Sequence, residues 1–319
     1  MAEIDSPFSL WIIHYFTFIF SFPVYTIAFL VLFLKCPSYF EKYRNYLVVH
    51  IVSGILLEIH IGIFWKLVYP LPFPALCSTG PTANHSPLNF LIFVYLLVYT
   101  AISALSVLIY RMKAATPYVE NHKKLAEIPI ILRYIFYVGV TTAVGFSILI
   151  YPYLRDQKEY KLGLEQKLRK FPAFVMSESC IFMQFDTIVF ILFYGFGYFS
   201  VFIAFLSAIL AVVFTLKSLN SKTMRLSKKT VQIQKDVMYS LVAALIVHVI
   251  LLIGPLGTFF LSNIFIINTP VYASILVLMI QEHGACSRLT LILTNKLLRK
   301  GFREEWAGDS SLASDLHGS

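Results

Sequence analysis

The sequence predicts an all-α integral membrane protein, folded as a bundle of seven membrane-spanning helices. Of its 319 residues, 58% are hydrophobic and only 13% are charged, whereas a soluble domain is roughly 45–50% apolar and about 25% charged. The apolar excess indicates that lipid surrounds most of the chain. The net charge of +9 raises nucleic acid as a partner. The basic residues lie in short loops between apolar runs, however, which favours membrane topology and a lipid bilayer over nucleic acid.

Seven apolar runs reach the length of about 20 residues that a spanning helix needs. They are continuous and lack the alternation of a β-barrel. The predicted spans are Ser9–Leu34, Tyr46–Tyr69, Leu88–Tyr110, Pro129–Tyr153, Asp186–Leu216, Val237–Leu261 and Pro270–Leu293.

The chain therefore divides into a short N-terminal stretch (residues 1–8), the bundle (9–293) and a tail (294–319). Met1–Leu10 has no Lys or Arg, so we expect the first run to be a spanning helix rather than a signal peptide. In the tail, Asn295–Trp306 interleaves apolar and basic residues, which is typical of a short amphipathic helix on a membrane surface. The remaining Ala307–Ser319 is predicted to be disordered.

The charge of the loops predicts the orientation. Basic residues follow the first, third and fifth spans and occupy the tail, whereas the loops after the second and sixth spans have none. By the positive-inside rule the N-terminus is then extracellular and the tail cytoplasmic. One loop disagrees, because residues 155–178, placed outside, carry six basic residues beside four acidic ones: Arg155, Lys158, Lys161, Lys167, Arg169 and Lys170 are the basic ones.

Two features belong to the predicted extracellular side. Cys77 and Cys180 both fall where disulfides persist, so a bridge would tie the second outer loop to the third span; the alternative is two unpaired thiols. Asn84 begins an N-x-S sequon, which predicts glycosylation. The alternative is a chance tripeptide, and Pro87, directly after it, disfavours transfer.

Four ionisable residues inside spans are candidates for an intramembrane polar switch: Glu58, His60, Glu282 and His283. At ~1.5 Å rise per residue, Glu58 and the Glu282–His283 pair lie about 18 Å from the ends of their spans, near the bilayer centre. We hypothesise that Glu58 meets His283 and that the pair helps to set the favoured conformation. The alternative is a protonated Glu58 that is merely hydrogen-bonded.

A stripe of His50, Gly54, Glu58 and Gly62 repeats every four residues on the second span. Such a stripe lies on one helix face and allows a neighbouring backbone to approach closely.

Pro255, after Gly254, predicts a kink in the sixth span because proline removes a backbone donor. The kinked helix is either the moving part of a switch or a static bend, and the sequence does not choose.

Four tyrosines in the outer halves of the spans are candidates for a small-molecule pocket: Tyr95, Tyr99, Tyr194 and Tyr272. The alternative for each is packing or a position in the aromatic belt at the membrane interface.

Catalytic signatures are absent. The sequence has no H-E-x-x-H, no G-x-S-x-G and no P-loop. We therefore expect no enzyme activity, no cofactor and no metal.

Short motifs resemble those of a known receptor family. They are Tyr43-Arg44-Asn45-Tyr46-Leu47, Glu58-Ile59-His60, Pro70-Leu71-Pro72-Phe73-Pro74 with Cys77 and Gly80, and His283-Gly284 with Ser287 and Arg299. Together they resemble the nematode serpentine chemoreceptors of class I, with the sister class H close behind. Glu58 replaces the aspartate of the family pattern.

The resemblance implies a G-protein-coupled chemoreceptor that detects an environmental small molecule or pheromone. It implies a multi-pass protein of the plasma membrane, in the cilium of a sensory neuron, with a heterotrimeric G protein as partner; a receptor oligomer is left open. The residues expected to face the G protein are Arg111, Lys113, Lys217, Lys222, Arg225, Lys228, Lys229 and Lys235. Topology and lipid headgroups explain their charge equally well. The alternative function is a multi-pass transporter or ligand-gated channel.

The topology makes a direct prediction for epitope tags at Asp5 and Ser314. On intact cells, antibody should reach the tag at Asp5, whereas the tag at Ser314 should stain only after permeabilisation, because seven crossings put the termini on opposite sides. Staining of both tags on the same side would contradict an odd number of spans.

Overall fold

The computed structural model has seven helices long and apolar enough to cross a membrane, which confirms the predicted bundle. It describes residues 7–34, 41–70, 73, 75–115, 123–167, 171–184, 187–221, 227–262, 270–296 and 299. Apart from Asn295, Lys296 and Arg299, the predicted amphipathic helix of the tail lies outside these ranges, as do the predicted disordered end, Lys222 and Arg225.

The spanning helices extend a few residues beyond the predicted runs at most of their ends. Their bounds are α1 Pro7–Leu34, α2 Glu41–Ile59, α3 Ser86–Ala115, α4 Lys123–Arg155, α7 Ile188–Leu219, α8 Lys228–His248 continuing as α9 Gly254–Ser262, and α10 Pro270–Thr294. Two shorter helices, α5 Lys158–Lys167 and α6 Ala173–Met176, lie between α4 and α7.

The helices pack into two groups that share α3. The helix α4 lies along α7, and α3 contacts both. The helix α10 contacts α8, α1 and α2, and α2 in turn packs on α3. This arrangement puts α10 in the interior, which explains why so many of its polar residues are buried.

The sixth span changes its winding just before the predicted kink. Between α8 and α9 the chain forms a π-helical turn, Val249–Ile253, directly before Gly254 and Pro255. A proline ring clashes with the carbonyl four residues earlier, here that of Leu251, and has no N–H to donate. In the π-turn the Gly254 N–H donates to the Val249 carbonyl, five residues earlier, so the helix is locally unwound directly before Pro255.

The second span ends earlier than predicted. The sequence predicts a helix to Tyr69, but α2 passes into a π-helical turn, His60–Trp65, and stops at Lys66, whose φ of 46° lies in the left-handed region. The apolar residues after it, Leu67 and Val68, form a strand instead. Hydropathy does not distinguish a helix from a buried strand at these residues. The left-handed backbone of Lys66 ends the helix and so decides between them.

A small antiparallel sheet joins the loop between α2 and α3 to the loop between α4 and α7 at this end of the bundle. The all-α prediction did not include this sheet. Its strands are β1 Leu67–Val68, β2 Ala75–Ser78 and β3 Cys180–Phe182, in that order. We call this end of the bundle the sheet end. The opposite end, which carries Lys113, Lys217 and Lys228, is the basic end.

The turn after β2 caps the last carbonyls of the π-helical turn. The backbone N–H of Gly80 donates to the Trp65 carbonyl at 3.1 Å, and the Thr82 N–H donates to that of Phe64 at 3.3 Å. A Cβ on Gly80 would overlap the Phe64 carbonyl oxygen and lie 2.9 Å from the Trp65 carbonyl carbon. Glycine is therefore required here by the close approach of two backbones.

A disulfide joins β2 to β3. Cys77 and Cys180 are bonded and face each other in the strand register, at a sequence separation of 103. A bridge across so long a loop strongly restricts the unfolded chain. It also fixes the loop before α7 to the loop before α3.

Two side chains of the α4–α7 loop complete the sheet end. The amide of Gln157 bonds to both the N–H and the carbonyl of Phe182, at 2.7 Å each. The ammonium of Lys161 is buried and donates to the carbonyls of Ser177 at 2.6 Å and Cys180 at 2.7 Å. Burial lowers the pKa of Lys161 to about 8, against the opposing effect of Glu178, so the side chain keeps most of its charge at neutral pH. One basic residue of the loop that disagrees with the positive-inside rule thus has a structural role.

Replacing Lys161 by Met should loosen this loop. The change leaves two buried carbonyls without their donor, which costs roughly 2–4 kcal/mol. Hydrogen exchange of the β3 amides should accelerate accordingly in the purified protein. The matched control is Lys158→Met, because Lys158 is exposed on the same helix. Equal exchange in the two variants would contradict the role given to Lys161.

Candidate functional site

A cluster of ionisable and polar side chains is buried where α1, α2, α8 and α10 meet. We call it the polar core; its members are Tyr25, His50, Glu58, His248, His283 and Arg288, each at most 8% exposed. Each belongs to a spanning helix, where an ionisable group is costly and marks function by default.

Glu58 reaches the backbone of α10. Its Oε1 accepts a hydrogen bond from the Ala285 N–H at 3.1 Å. A Cβ on Gly284 would overlap the Tyr25 hydroxyl and lie 2.6 Å from Glu58 Oε1. The absence of a side chain at Gly284 is therefore what lets both groups approach α10. Gly54, in the predicted stripe, also faces α10, with the Gly284 Cα 4.0 Å from the position of its Cβ.

The hypothesis that Glu58 pairs with His283 is wrong in this structure. His283 Nδ1 donates to the carbonyl of Ile280, one turn earlier, at 2.6 Å. Its ring packs edge-on against that of His248, 4.7 Å between centroids. Neighbouring positions on a helix point about 100° apart. Contact of Glu58 with the backbone at Gly284 and Ala285 thus leaves His283 facing α8.

Glu282 and His60, the other predicted switch residues, lie apart from this contact. Glu282 faces α1, where the Ser21 hydroxyl donates to its Oε2 at 3.4 Å. His60 faces α3 and bonds through Nε2 to the Asn89 carbonyl at 2.9 Å. The structure therefore directs the four predicted residues toward four different neighbouring helices: Glu58 toward α10, His283 toward α8, Glu282 toward α1 and His60 toward α3.

Sequence reasoning missed four members of the polar core as functional candidates: Tyr25, His50, His248 and Arg288. Arg288 is 2% exposed and donates from Nη2 to the His50 carbonyl at 3.0 Å. His50 bonds through Nδ1 to the Ser103 hydroxyl at 2.9 Å, and its ring lies 5.8 Å from that of His248. An arginine inside the predicted span Pro270–Leu293 was the available signal, because a charge within an apolar run needs a partner.

A cavity of about 320 Å³ lies between α3, α4, α7 and the α8–α9 span. Its end toward the sheet is closed by Leu67 and Leu76 of the first two strands and by Met183, which follows β3. Its wall along the sixth span includes His248, a member of the polar core. The cavity and the polar core are thus neighbours that share one side chain.

The predicted pocket tyrosines are mostly elsewhere. Tyr194 lines the cavity. Tyr95 and Tyr99 lie on the outer surface of α3, each 38% exposed, and the Tyr95 hydroxyl bonds to that of Ser147 at 3.2 Å. Tyr272 packs against the hydrophobic cluster below the sheet. Of the four predicted residues only Tyr194 lines the cavity, because the rotation of each helix decides which of its faces is turned toward it.

At the basic end, Arg111 is not on the surface. It is 6% exposed, donates from Nη1 to Gln234 Oε1 at 2.8 Å, and stacks on the Tyr43 ring with Cζ 3.6 Å from the centroid. The prediction that it faces a partner is wrong for this conformation, because the side chain is buried inside the bundle against Gln234 and Tyr43. Lys113, Lys217 and Lys228 are exposed, and Lys235 is half-buried.

Two further predictions concern the surface and bound ions. Asn84 is exposed in a 3₁₀ turn, Ala83–His85, and its glycosylation stays a prediction. Within the ranges that the structure describes, no group of three or more His, Cys, Asp or Glu side chains is placed to hold a metal ion.

Seven spanning helices around a polar core and a cavity are the architecture of a serpentine membrane receptor. A family model described as the serpentine type 7TM GPCR chemoreceptor Srh matches residues 5–305. The chain belongs to this family, and the match falls on the sister class of class I. No curated protein and no solved structure matches the chain significantly.

Replacing Gly284 by Ala should destabilise the bundle. The new methyl group would collide with the Tyr25 hydroxyl and the Glu58 carboxyl, and overpacking of this kind costs roughly 1–3 kcal/mol. Thermal unfolding of receptor purified in detergent measures the effect. The control is Gly145→Ala on α4, where no atom lies within 4 Å of the new Cβ. Similar midpoints for both variants would contradict the close contact of α10 with Glu58.

Proposed function

We propose that this protein is a chemosensory receptor that binds a small molecule in the cavity and then activates a heterotrimeric G protein. The observation that carries the proposal is the position of His248, which lines the cavity and also contacts His283 in the polar core. Membership of the chemoreceptor family supports the same role. A ligand would act by binding one conformation of the bundle better than another.

The sheet end is proposed to face the outside of the cell and the basic end the cytoplasm. The disulfide between Cys77 and Cys180 supports this orientation, because disulfides persist in oxidising surroundings. The exposed lysines of the basic end support it by the positive-inside rule. The plasma membrane, and within it a sensory cilium, is the proposed site of action.

The contact of Arg111 with Gln234 is proposed to hold the receptor inactive. It joins α3 to the start of α8 at the basic end, while Tyr43 of α2 covers the guanidinium. Lys113, Lys217 and Lys228 are exposed at the same end of the bundle. Release of Gln234 would free α8 to move away from α3 and expose Arg111 to an acidic partner surface.

The test is ligand-independent signalling of Gln234→Leu in cells with a second-messenger reporter. Loss of one hydrogen bond to a charged group, about 1–2 kcal/mol, should raise basal signalling roughly 5- to 30-fold at equal surface expression. The matched control is Gln232→Leu, an exposed residue two positions earlier on α8.

Neutralising the basic end should abolish this signal. In the Gln234→Leu background, Lys113, Lys217, Lys228 and Lys235 are replaced by Gln. Unchanged basal signalling in Gln234→Leu, or signalling that survives the neutralised basic end, would contradict coupling to a G protein. Ligand-dependent current in membranes without G proteins would favour the channel or transporter instead.

A further inference from the structure

We propose that the cavity takes an uncharged, mainly apolar small molecule with a single hydrogen-bonding group, such as a hydroxyl or carbonyl, which bonds to the His248 ring. This inference rests on the proposed receptor function and names the chemical class of its ligand.

The walls of the cavity exclude a charged ligand. Among the described residues that line it, none is Asp, Glu, Lys or Arg, and most are aliphatic or aromatic, such as Leu76, Phe93, Leu108 and Phe193. A carboxylate or ammonium placed there would lose its hydration without meeting an opposite charge, which is strongly unfavourable. The volume of about 320 Å³ is at the lower end of small-molecule sites.

Hydrogen-bonding side chains on these walls are few: among the described lining residues they are Ser200, His248 and the tyrosines Tyr69, Tyr194 and Tyr198. The Ser200 hydroxyl already donates to the Phe196 carbonyl of its own helix at 2.6 Å. His248 is only 7% exposed, and its Nδ1 has no hydrogen-bond partner among the described residues. A buried polar atom without a partner is costly, so a ligand group that bonds to this ring gains more than the same group would gain at the surface.

The opening of the cavity agrees with an apolar ligand. Its sheet end is closed, whereas four residues that line it are also exposed on the side of the bundle between α7 and the α8–α9 span: Tyr198 (49%), Val201 (44%), Phe205 (45%) and Ile253 (39%). In a bilayer this side faces the acyl chains. The molecule therefore enters from the membrane, where apolar compounds concentrate.

The experiment uses the full chain in phospholipid nanodiscs and three photoreactive diazirine probes of equal chain length: decane, 1-decanol and decyl sulfate. Labelling of residues 193–208 and 245–257 is followed by mass spectrometry as probe concentration rises. The alcohol should half-saturate at a concentration about tenfold lower than the alkane, from one added hydrogen bond to a buried partner. The sulfate should not label these segments.

Variants test the part played by His248. His248→Leu should remove the advantage of the alcohol over the alkane, and His248→Gln, which keeps a donor and an acceptor, should retain most of it. Tyr239→Phe, exposed to the surroundings on the same helix, is the control and should behave as the unchanged receptor. Equal labelling by all three probes, or an alcohol preference that survives His248→Leu, would overturn the proposal.

Competition identifies the source of the ligand. Unlabelled 1-octanol stands for a compound from outside, and monooleoylglycerol for a lipid of the bilayer; both have the proposed chemistry, and failure of both to displace the alcohol probe would contradict it. Labelling needs no G protein. Correct labelling without second-messenger signals would therefore refute only the proposed function, and signalling without the labelling pattern only this inference.

Discussion

The bundle depends on one constraint: polar groups that lie deep among apolar helices must find their partners within the protein. A carboxyl at the bilayer centre costs roughly 2.5–3.5 kcal/mol on insertion scales. Glu58 offsets that cost by accepting a hydrogen bond from the Ala285 N–H. It reaches this N–H only because Gly284 has no side chain. The same close approach of α2 and α10 brings Arg288 to the carbonyl of His50. The interior position of α10 thus follows from hydrogen bonding as much as from apolar packing.

The polar core and the cavity, the two candidate functional parts of the bundle, are in contact with each other. The ring of His248 is common to both, and the π-helical turn Val249–Ile253 begins at the next residue. A π-turn is a local departure from regular helix that often accompanies functional sites. An occupant that shifts His248 would act on the interior through His283 and on the sixth span through this turn. At the basic end of that span, Gln234 binds Arg111.

The sheet end solves a different problem, the ordering of two long loops around a small hydrophobic cluster that includes Phe171, Val175 and Phe182. The disulfide fixes their relative position, and Lys161 and Gln157 satisfy the backbone groups that the short strands leave unpaired. The result is a rigid cover that closes one end of the cavity. Access to the cavity then remains from the side of the bundle, where apolar residues of α7 and of the π-helical turn before α9 face the membrane.

The sequence by itself determined that the chain spans a membrane seven times, because length and hydropathy of a run decide insertion without reference to other helices. It also singled out Glu58 and the Cys77 and Cys180 positions from their chemistry. Only the tertiary structure decided partners. The rotation of each helix turned Tyr95 away from the cavity, buried Arg111 and placed His248 beside His283. Such pairings depend on how two helices meet, and one helix's own sequence does not contain that information.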